Sequence, residues 1–163
     1  MTSPARILIV EDQYFVALDC EMQLRAAGFE CVGSTTTAAG AVNMAEGENP
    51  DLIIMDIRLA GGSDGVQAAL YIHEHFGIRC IFASGHADAN LRQQAAPARP
   101  LGWLDKPYDS DRLIWMVRDA LQQLQDEREP AASVPEVSAS FSGIGSSIGP
   151  TEGRGGTRST GQH

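Results

Sequence analysis

The chain has 163 residues, of which 12 are basic and 21 are acidic, so its formal net charge is −9. This length suits one ordinary domain with a short extension and excludes two domains that each have a large core. The negative charge opposes binding to nucleic acid and to anionic membrane surfaces, so we expect direct contact with neither.

Five short apolar runs, rich in β-branched residues, recur along the first two thirds of the chain. Such nearly continuous runs are typical of strands that are buried on both faces. The predicted strands are ARILIV (5–10), ECVGS (30–34), DLIIMD (51–56), RCIFAS (79–84) and PLGWL (100–104). The spacing between them leaves room for a helix after each strand.

Segments of helical period fill these gaps. The first covers 13–27 and ends before Gly28, with one apolar face that carries Phe15, Leu18, Met22 and Ala26. Further helices are predicted at 37–47, 65–76 and 87–95, and we expect Pro97 and Pro100 to cut the fourth helix short. The last helix runs from about 109 to 127, with a stripe formed by Leu113, Val117, Ala120, Leu121 and Leu124.

The strict alternation of strands and helices predicts a parallel sheet with helices on both faces. The fold class is therefore α/β, with a doubly wound sheet of five parallel strands. Ligands of such sheets bind outside the carboxyl ends of the strands, near the point where the strand order switches. A functional site is expected at that edge.

The composition changes at Arg128, after which Pro, Ser, Gly and Thr dominate without any period. We predict a folded domain over 1–127 and a disordered tail over 128–163. The tail is too short and too poor in apolar residues for a helix-turn-helix output module. Nucleic acid would therefore have to be reached through a partner.

The three cysteines, Cys20, Cys31 and Cys80, are odd in number and lie in apolar runs. This pattern predicts buried, reduced thiols rather than a disulfide framework. The N-terminus is too short and polar for a signal peptide, and no apolar run approaches the roughly 18 residues of a membrane span. We expect a cytoplasmic protein.

Chemically useful residues stand where the predicted strands end. Glu11 and Asp12 follow the first strand, Asp56 ends the third, Ser84 ends the fourth and Lys106 follows the fifth. Each alone is explained as a cap, turn or surface residue. Together they meet at one edge of the sheet, where three carboxylates repel each other unless a cation joins them. Mg²⁺ is the predicted bound cation because it takes oxygen ligands and keeps several water molecules.

The same set predicts aspartyl phosphorylation. A carboxylate can attack a phosphoryl group to form an acyl phosphate, while a metal ion and a lysine neutralise the equatorial oxygens. Lys106 is the single lysine of a chain that has 11 arginines. A compact ammonium on a flexible stem reaches a phosphoryl oxygen in a way that a planar guanidinium does not, which favours a chemical reason for this exception.

The motifs ILIVED, DLIIMDIRLAGGSDG, IFASG and WLDKP resemble those of the response-regulator receiver family over residues 6 to about 125. Their carrying residues, Asp12, Asp56, Ser84 and Lys106, are spaced by 44, 28 and 22 positions. The resemblance implies a flavodoxin-like (βα)5 fold in which Asp56 accepts phosphate from a sensor histidine kinase. It also implies a downstream protein target or phosphotransfer partner, and a possible homodimer.

The resemblance further implies a role for each site residue. Mg²⁺ would be bound by Asp12, Asp56 and the carbonyl of Arg58, with Glu11 assisting through water. Ser84 and Lys106 would bind the phosphoryl oxygens, and the Lys106–Pro107 peptide bond would be cis.

Several positions depart from the usual pattern or flank the site. Trp103 stands where the family usually has a tyrosine or phenylalanine that swings inward on activation. Trp115 lies away from the core stripe of the last helix and is a candidate partner contact. Arg58 and His86 lie two residues after the acceptor and the serine, so they are candidates to tune hydrolysis. His86 is explained equally well as a solvated loop histidine. The stretch FASGH resembles a subgroup of single-domain receivers with a divergent fourth strand and helix.

Three classes of function follow. The first is a signalling receiver, whose own chemistry is limited to self-phosphorylation and slow dephosphorylation, so it is not an ordinary enzyme. The second is a pseudo-receiver that is not phosphorylated and acts as a protein-interaction scaffold, which the complete acid and lysine set disfavours. The third is an enzyme or electron carrier of similar fold. A phosphohydrolase needs a second acid where Arg58 stands, and a flavin carrier needs a phosphate loop where the chain has EDQYF.

Overall fold

The computed structural model describes residues 3–129, in which five strands and five helices alternate. The strands are β1 (Arg6–Val10), β2 (Glu30–Thr35), β3 (Leu52–Asp56), β4 (Cys80–Ser84) and β5 (Gly102–Asp105). The helices are α1 (Tyr14–Ala26), α2 (Ala38–Glu48), α3 (Gly65–Phe76), α4 (Ala89–Ala95) and α5 (Ser110–Arg128). The order and type of every predicted element are confirmed, while the predicted tail lies, beyond its first two residues, outside the described part.

The five strands form one parallel sheet with the order β2-β1-β3-β4-β5. The chain steps from β1 to one side of the sheet to make β2, and then crosses to the other side to make β3. The strand order therefore switches between β1 and β3, which leaves a crevice at their carboxyl ends. The predicted doubly wound α/β architecture is confirmed.

The three central strands, β1, β3 and β4, bury side chains on both faces of the sheet. On β1, Ile7 and Ile9 pack under α1 and α5, whereas Leu8 and Val10 pack under α2 and α3. Because successive side chains of a strand point to opposite faces, two cores use every residue of the strand. This double burial explains the continuous apolar runs, and it gives the site a closely packed floor.

The apolar stripe predicted for the first helix does not face the core. Phe15 is 80% exposed and Met22 is 63% exposed, and Leu18 and Ala26 are exposed as well. The buried face of α1 is instead formed by Ala17, Cys20 and Leu24. The helix carries two apolar stripes, and the one with smaller residues packs against the sheet. The other remains on the surface.

The last two helices follow the sequence predictions. On α5, Leu113, Val117 and Ala120 are buried, while Trp115 is 57% exposed on the opposite side. Helix α4 has only seven residues and passes into a 3-10 helix at Ala96–Ala98 that contains Pro97. A proline cannot supply the backbone N–H that would continue the helix, so the predicted shortening is confirmed.

All three cysteines are free and buried, as predicted. Burial raises the pKa of the Cys20 and Cys80 thiols to about 12, so neither supplies a reactive thiolate near neutral pH. No helix between residues 3 and 129 combines the length and the apolar character needed to cross a membrane.

The two stripes of α1 lead to a prediction about stability. Leu24→Ala lowers the free energy of unfolding by about 2–5 kcal/mol, because it leaves a cavity under a fully buried side chain. Met22→Ala, two residues away on the same helix, changes it by less than about 0.5 kcal/mol because that side chain lies in water. Urea unfolding followed by circular dichroism measures both values. Equal losses for the two variants would mean that the helix is rotated from the orientation described.

Candidate functional site

Three carboxylates lie together at the carboxyl ends of β1 and β3. Glu11 directly follows β1 and is 4% exposed, and Asp56 ends β3 and is 7% exposed. Asp12 lies beside them and is exposed to solvent. One carboxylate oxygen of each residue lies within 4.8 Å of those of the other two. The sequence prediction that these acids converge at one edge is confirmed.

The ammonium of Lys106 partly balances this negative charge. Its Nζ donates hydrogen bonds to Glu11 Oε2 at 2.7 Å and to Asp56 Oδ2 at 3.1 Å. Lys106 directly follows β5, where its backbone N–H donates to the carbonyl oxygen of Ser84 at 2.8 Å. The Lys106–Pro107 peptide bond is cis, as the resemblance implied. One side chain therefore links the ends of β1, β3 and β5.

Burial and charge perturb the pKa of two groups in this cluster. Burial raises the pKa of the Glu11 carboxyl, the neighbouring Asp56 raises it further, and Lys106 opposes both. Burial alone would lower the pKa of Lys106, but its hydrogen bonds to Glu11 and Asp56 outweigh that effect and raise it. The protonated, cationic form of Lys106 is thus stabilised, while ionisation of the Glu11 carboxyl is made less favourable.

Ser84 ends β4 on the far side of Asp56 from β1 and is 7% exposed. Its Oγ accepts a hydrogen bond from the backbone N–H of His86 at 3.0 Å. The backbone N–H of Arg58 similarly donates to Asp56 Oδ1 at 3.3 Å. Both loops that leave the sheet here turn back toward the residue that ends the strand.

The predicted site residues share one open pocket of about 630 Å³. Asp12, Asp56, Arg58, Ser84 and Lys106 all line it, as does His86. Glu11 lies beneath this lining and is connected to it through Lys106. The two tryptophans stand apart: Trp103 is half-buried against Phe82, and Trp115 is on the surface of α5. The residues predicted to carry the chemistry therefore lie in or directly beneath one pocket. The two tryptophans predicted to act in switching or partner contact lie outside it.

The outer wall of the pocket was not predicted from the sequence. It consists of Gln13 on one side and of residues from the β4–α4 loop and α4 on the other, namely Asp88, Asn90, Leu91 and Gln94. No strand-end motif marks these positions. Gln13 directly follows Asp12, and the other four are marked only by their place in the loop and helix after Ser84. They make the pocket much larger than an ion and a phosphoryl group require.

A close approach of backbone to backbone sets the position of Asp56. Gly65 is the first residue of α3, and a Cβ built there would lie 1.9 Å from the carbonyl oxygen of Asp56. The N–H of Gly65 donates to the carbonyl oxygen of Ile57 at 2.8 Å. Only a residue without a side chain lets the helix begin against the end of β3. The sequence motifs did not predict this constraint.

The donor set fits a hard divalent cation. All three clustered side chains offer carboxylate oxygens, which Mg²⁺ prefers, and Asp12 leaves the cluster open to solvent so that an ion can keep some of its waters. Three carboxylates face one ammonium at this edge. The net negative charge is what a bound cation would offset.

The fold and the pocket define a doubly wound α/β protein with a cluster of three carboxylates at its topological switch point. The sequence model of the response regulator receiver domain matches residues 7–118. The chain therefore belongs to the response regulator receiver family, whose members are signalling domains.

Individual relatives agree with this assignment. Transcriptional regulatory protein PdtaR of Mycobacterium tuberculosis is 30% identical over 123 residues, which are 76% of this chain and 60% of PdtaR. Phyllosphere-induced regulator PhyR of Methylorubrum extorquens is 31% identical over 126 residues, which are 76% of this chain and 46% of PhyR. The chain thus spans about half to three fifths of the length of these curated relatives.

A solved structure with a similar fold is the signal receiver domain of a modulated diguanylate cyclase from Desulfovibrio desulfuricans. It superposes with a TM-score of 0.70 at 30% identity and covers 76% of this chain and 98% of that one. The match spans almost the whole of that receiver domain, so the receiver fold is confirmed.

The charge balance of the cluster leads to a prediction. Lys106→Met lowers the free energy of unfolding by about 2 kcal/mol near pH 7.5, less than for a fully buried pair because 22% of the lysine side chain is exposed. Losing the ammonium raises the pKa of Glu11 further above its ordinary value of 4.5. The folded state then favours the protonated carboxyl, so the loss is largest above the folded-state pKa and fades as the pH falls toward 4.5.

Urea unfolding at several pH values measures this difference. Arg25→Met is the matched control, because Arg25 also pairs with a glutamate, at 2.6 Å from Glu21, but its side chain is 60% exposed. That variant should change stability by less than about 0.5 kcal/mol at any of these pH values. A loss for Lys106→Met that does not depend on pH would show that packing, and not charge, is responsible.

The contact at Gly65 leads to a second prediction. Gly65→Ala lowers the free energy of unfolding by about 2 kcal/mol or more, because the new methyl group would overlap the Asp56 carbonyl and force the backbone apart. Gly47→Ala is the control: Gly47 lies inside α2, where an added Cβ meets no atom within 4 Å. That change should stabilise the helix by up to about 1 kcal/mol. Thermal or urea unfolding distinguishes the two, and equal effects would contradict the described approach of α3 to β3.

Proposed function

We propose that this chain is a response regulator of a two-component phosphorelay, in which Asp56 accepts a phosphoryl group from a phosphohistidine of a sensor histidine kinase. The observation that carries the proposal is the environment of Asp56. Its carboxylate is buried at the floor of an open pocket, beside two further acids and within 3.1 Å of the Lys106 ammonium. A nucleophilic carboxylate that is held in place and reached from one side suits in-line phosphoryl transfer.

In this proposal Asp12, Asp56 and the backbone carbonyl of Arg58 would hold Mg²⁺, and Glu11 would assist through water. The bound ion would neutralise negative charge that develops on the phosphoryl oxygens. Glu11 has a second task, because its carboxylate orients Lys106 through the 2.7 Å hydrogen bond. The fixed ammonium then stays beside Asp56 before any donor arrives.

During transfer, a carboxylate oxygen of Asp56 forms a bond to phosphorus while the bond from phosphorus to the imidazole nitrogen breaks. The imidazole leaves with that electron pair. Lys106 and Ser84 bind the phosphoryl oxygens, and the backbone N–H of Arg58 holds the other carboxylate oxygen of Asp56. Water later hydrolyses the acyl phosphate, so the chain catalyses only its own phosphorylation and slow dephosphorylation.

The side chains of Arg58 and His86 are proposed to set the lifetime of the acyl phosphate. Both are exposed and both line the mouth of the pocket above Asp56. A water molecule that attacks the phosphoryl group has to pass this mouth. Bulk and hydrogen-bonding groups at the two positions therefore influence how often such a water is aligned.

The partners are proposed to be proteins. The exposed apolar stripe of α1, formed by Phe15, Leu18 and Met22, begins two residues after Gln13, which lines the pocket, and is proposed to offer a surface for the phosphodonor. Exposed Trp115 on α5 is proposed to contact a downstream target, a phosphotransfer partner or a second copy of the chain. The net charge of −9 disfavours direct contact with nucleic acid or anionic membranes. Free, buried cysteines and a kinase partner are consistent with a cytoplasmic location.

The proposal predicts a specific covalent change. Incubation with acetyl phosphate and Mg²⁺ adds one phosphoryl group to the wild-type chain, as measured by intact mass, and chelation of Mg²⁺ removes most of the reaction. Asp56→Asn abolishes the addition because the amide is not a competent nucleophile. Asp105→Asn retains it, since this strand-end carboxylate is exposed and lies outside the acidic cluster.

Two outcomes would contradict the proposal. Addition of a phosphoryl group to the Asp56→Asn variant would mean that another residue is the acceptor. No phosphoryl addition to the wild type from acetyl phosphate or phosphoramidate, together with no binding of a beryllofluoride mimic, would instead favour a pseudo-receiver that acts as a protein-interaction scaffold.

A further inference from the structure

Arg92, on α4, connects parts of the structure that meet beside the pocket. Its guanidinium carbon lies 4.9 Å from the ring centre of Trp103 on β5. Its Nε donates a hydrogen bond to the carbonyl oxygen of Ala87 at 3.3 Å. Ala87 belongs to the loop 85–88, which joins Ser84 to α4. A single side chain therefore holds this loop, the helix after it and the neighbouring strand together.

The loop 85–88 has few other contacts to hold it. Gly85, His86 and Asp88 are exposed, and a Cβ built on Gly85 would meet no atom within 4 Å. The backbone N–H of His86 donates to Ser84 Oγ, so the position of the loop and the orientation of the serine hydroxyl depend on each other. Where a segment lacks buried packing, a few hydrogen bonds decide its conformation.

Trp103 gives Arg92 a fixed surface to lie on. It pairs with Phe82 in the register of β4 and β5, and the two ring centres are 4.9 Å apart. Phe82 is fully buried, so the indole is supported from below by the core. A planar guanidinium stacks on such a ring and keeps its N–H groups free to donate in the ring plane, which an ammonium cannot do.

We infer that Arg92 is a positioning residue for the phosphoryl site. Its stack on Trp103 and its hydrogen bond to Ala87 hold the loop 85–88 in place, so that the Ser84 hydroxyl faces the pocket ready to bind a phosphoryl oxygen. Arg92 does not line the pocket and touches no reacting group. This role rests on the proposed function, because it concerns the site at which Asp56 is phosphorylated.

The test uses the full chain with Arg92→Ala, Arg92→Lys and Arg112→Ala. Lysine keeps the positive charge of residue 92 but loses the planar stack and the Nε donor. Arg112 is the matched control, because its guanidinium lies 5.2 Å from the ring centre of Trp115 and neither residue lines the pocket. Two quantities are measured: hydrogen exchange of the His86 amide without any donor, and the rate of Mg²⁺-dependent phosphoryl incorporation from acetyl phosphate.

We expect both Arg92 variants to increase hydrogen exchange at His86 and to slow incorporation by about threefold to tenfold. The effect is smaller than the roughly hundredfold loss for removing a direct donor, because Ser84 itself remains. Arg112→Ala should match the wild type in both measurements. Thermal unfolding of each variant checks that a slower rate is not caused by loss of the fold.

Other results would overturn the inference. Unchanged exchange at His86 in both Arg92 variants would show that the side chain does not hold the loop, whether or not the chain is phosphorylated. Faster exchange with a wild-type incorporation rate, or full recovery of the rate in Arg92→Lys, would exclude a positioning role through the stack. If the wild type takes no phosphoryl group, the proposed function fails and the positioning role fails with it, even if the exchange result shows that Arg92 holds the loop.

Discussion

The site depends on the ammonium of Lys106, which lies between two carboxylates that would otherwise repel each other. Glu11 and Asp56 are both almost fully buried, and Lys106 donates to each of them. The residues it joins are 95 and 50 positions away in the sequence, so this contact exists only when β1, β3 and β5 are all in place. The charges of Glu11 and Asp56 are therefore balanced by Lys106 only when this edge of the sheet is correctly assembled.

The three clustered carboxylates carry more negative charge than the Lys106 ammonium can balance. One cation faces three acids, and the cost of ionising a buried carboxyl is visible in the raised pKa of Glu11. A protein built only for stability would replace such a cluster with apolar side chains, because desolvated charges seldom repay their cost. Here the unbalanced charge is what the proposed divalent cation would offset, and the packed sheet beneath supplies the stability that the cluster does not.

The sequence predicted those features that depend on local pattern or on the geometry of parallel sheets. Apolar runs marked the strands, and the rule that their carboxyl ends share one edge was enough to place Asp12, Asp56 and Lys106 at a common site. The sequence did not predict which apolar stripe of α1 is buried, because periodicity identifies an apolar face but not the element that packs against it. The close approach at Gly65 and the stack of Arg92 on Trp103 were also missed, since both depend on three-dimensional contacts that no spacing reveals.

The two sides of the pocket differ in how firmly they are held, and this difference has a mechanical consequence. Glu11, Asp56 and Lys106 are joined to each other and stand on strands that are packed on both faces. The opposite wall is an exposed loop held by a few polar contacts and a helix of seven residues, of which Leu91 and Ala95 pack against the core. If Asp56 is phosphorylated as proposed, the new charge acts on both sides, and we expect the less firmly packed side to move more. The change of shape would then pass through the β4–α4 loop toward Trp103, away from the sheet that holds Asp56 in place.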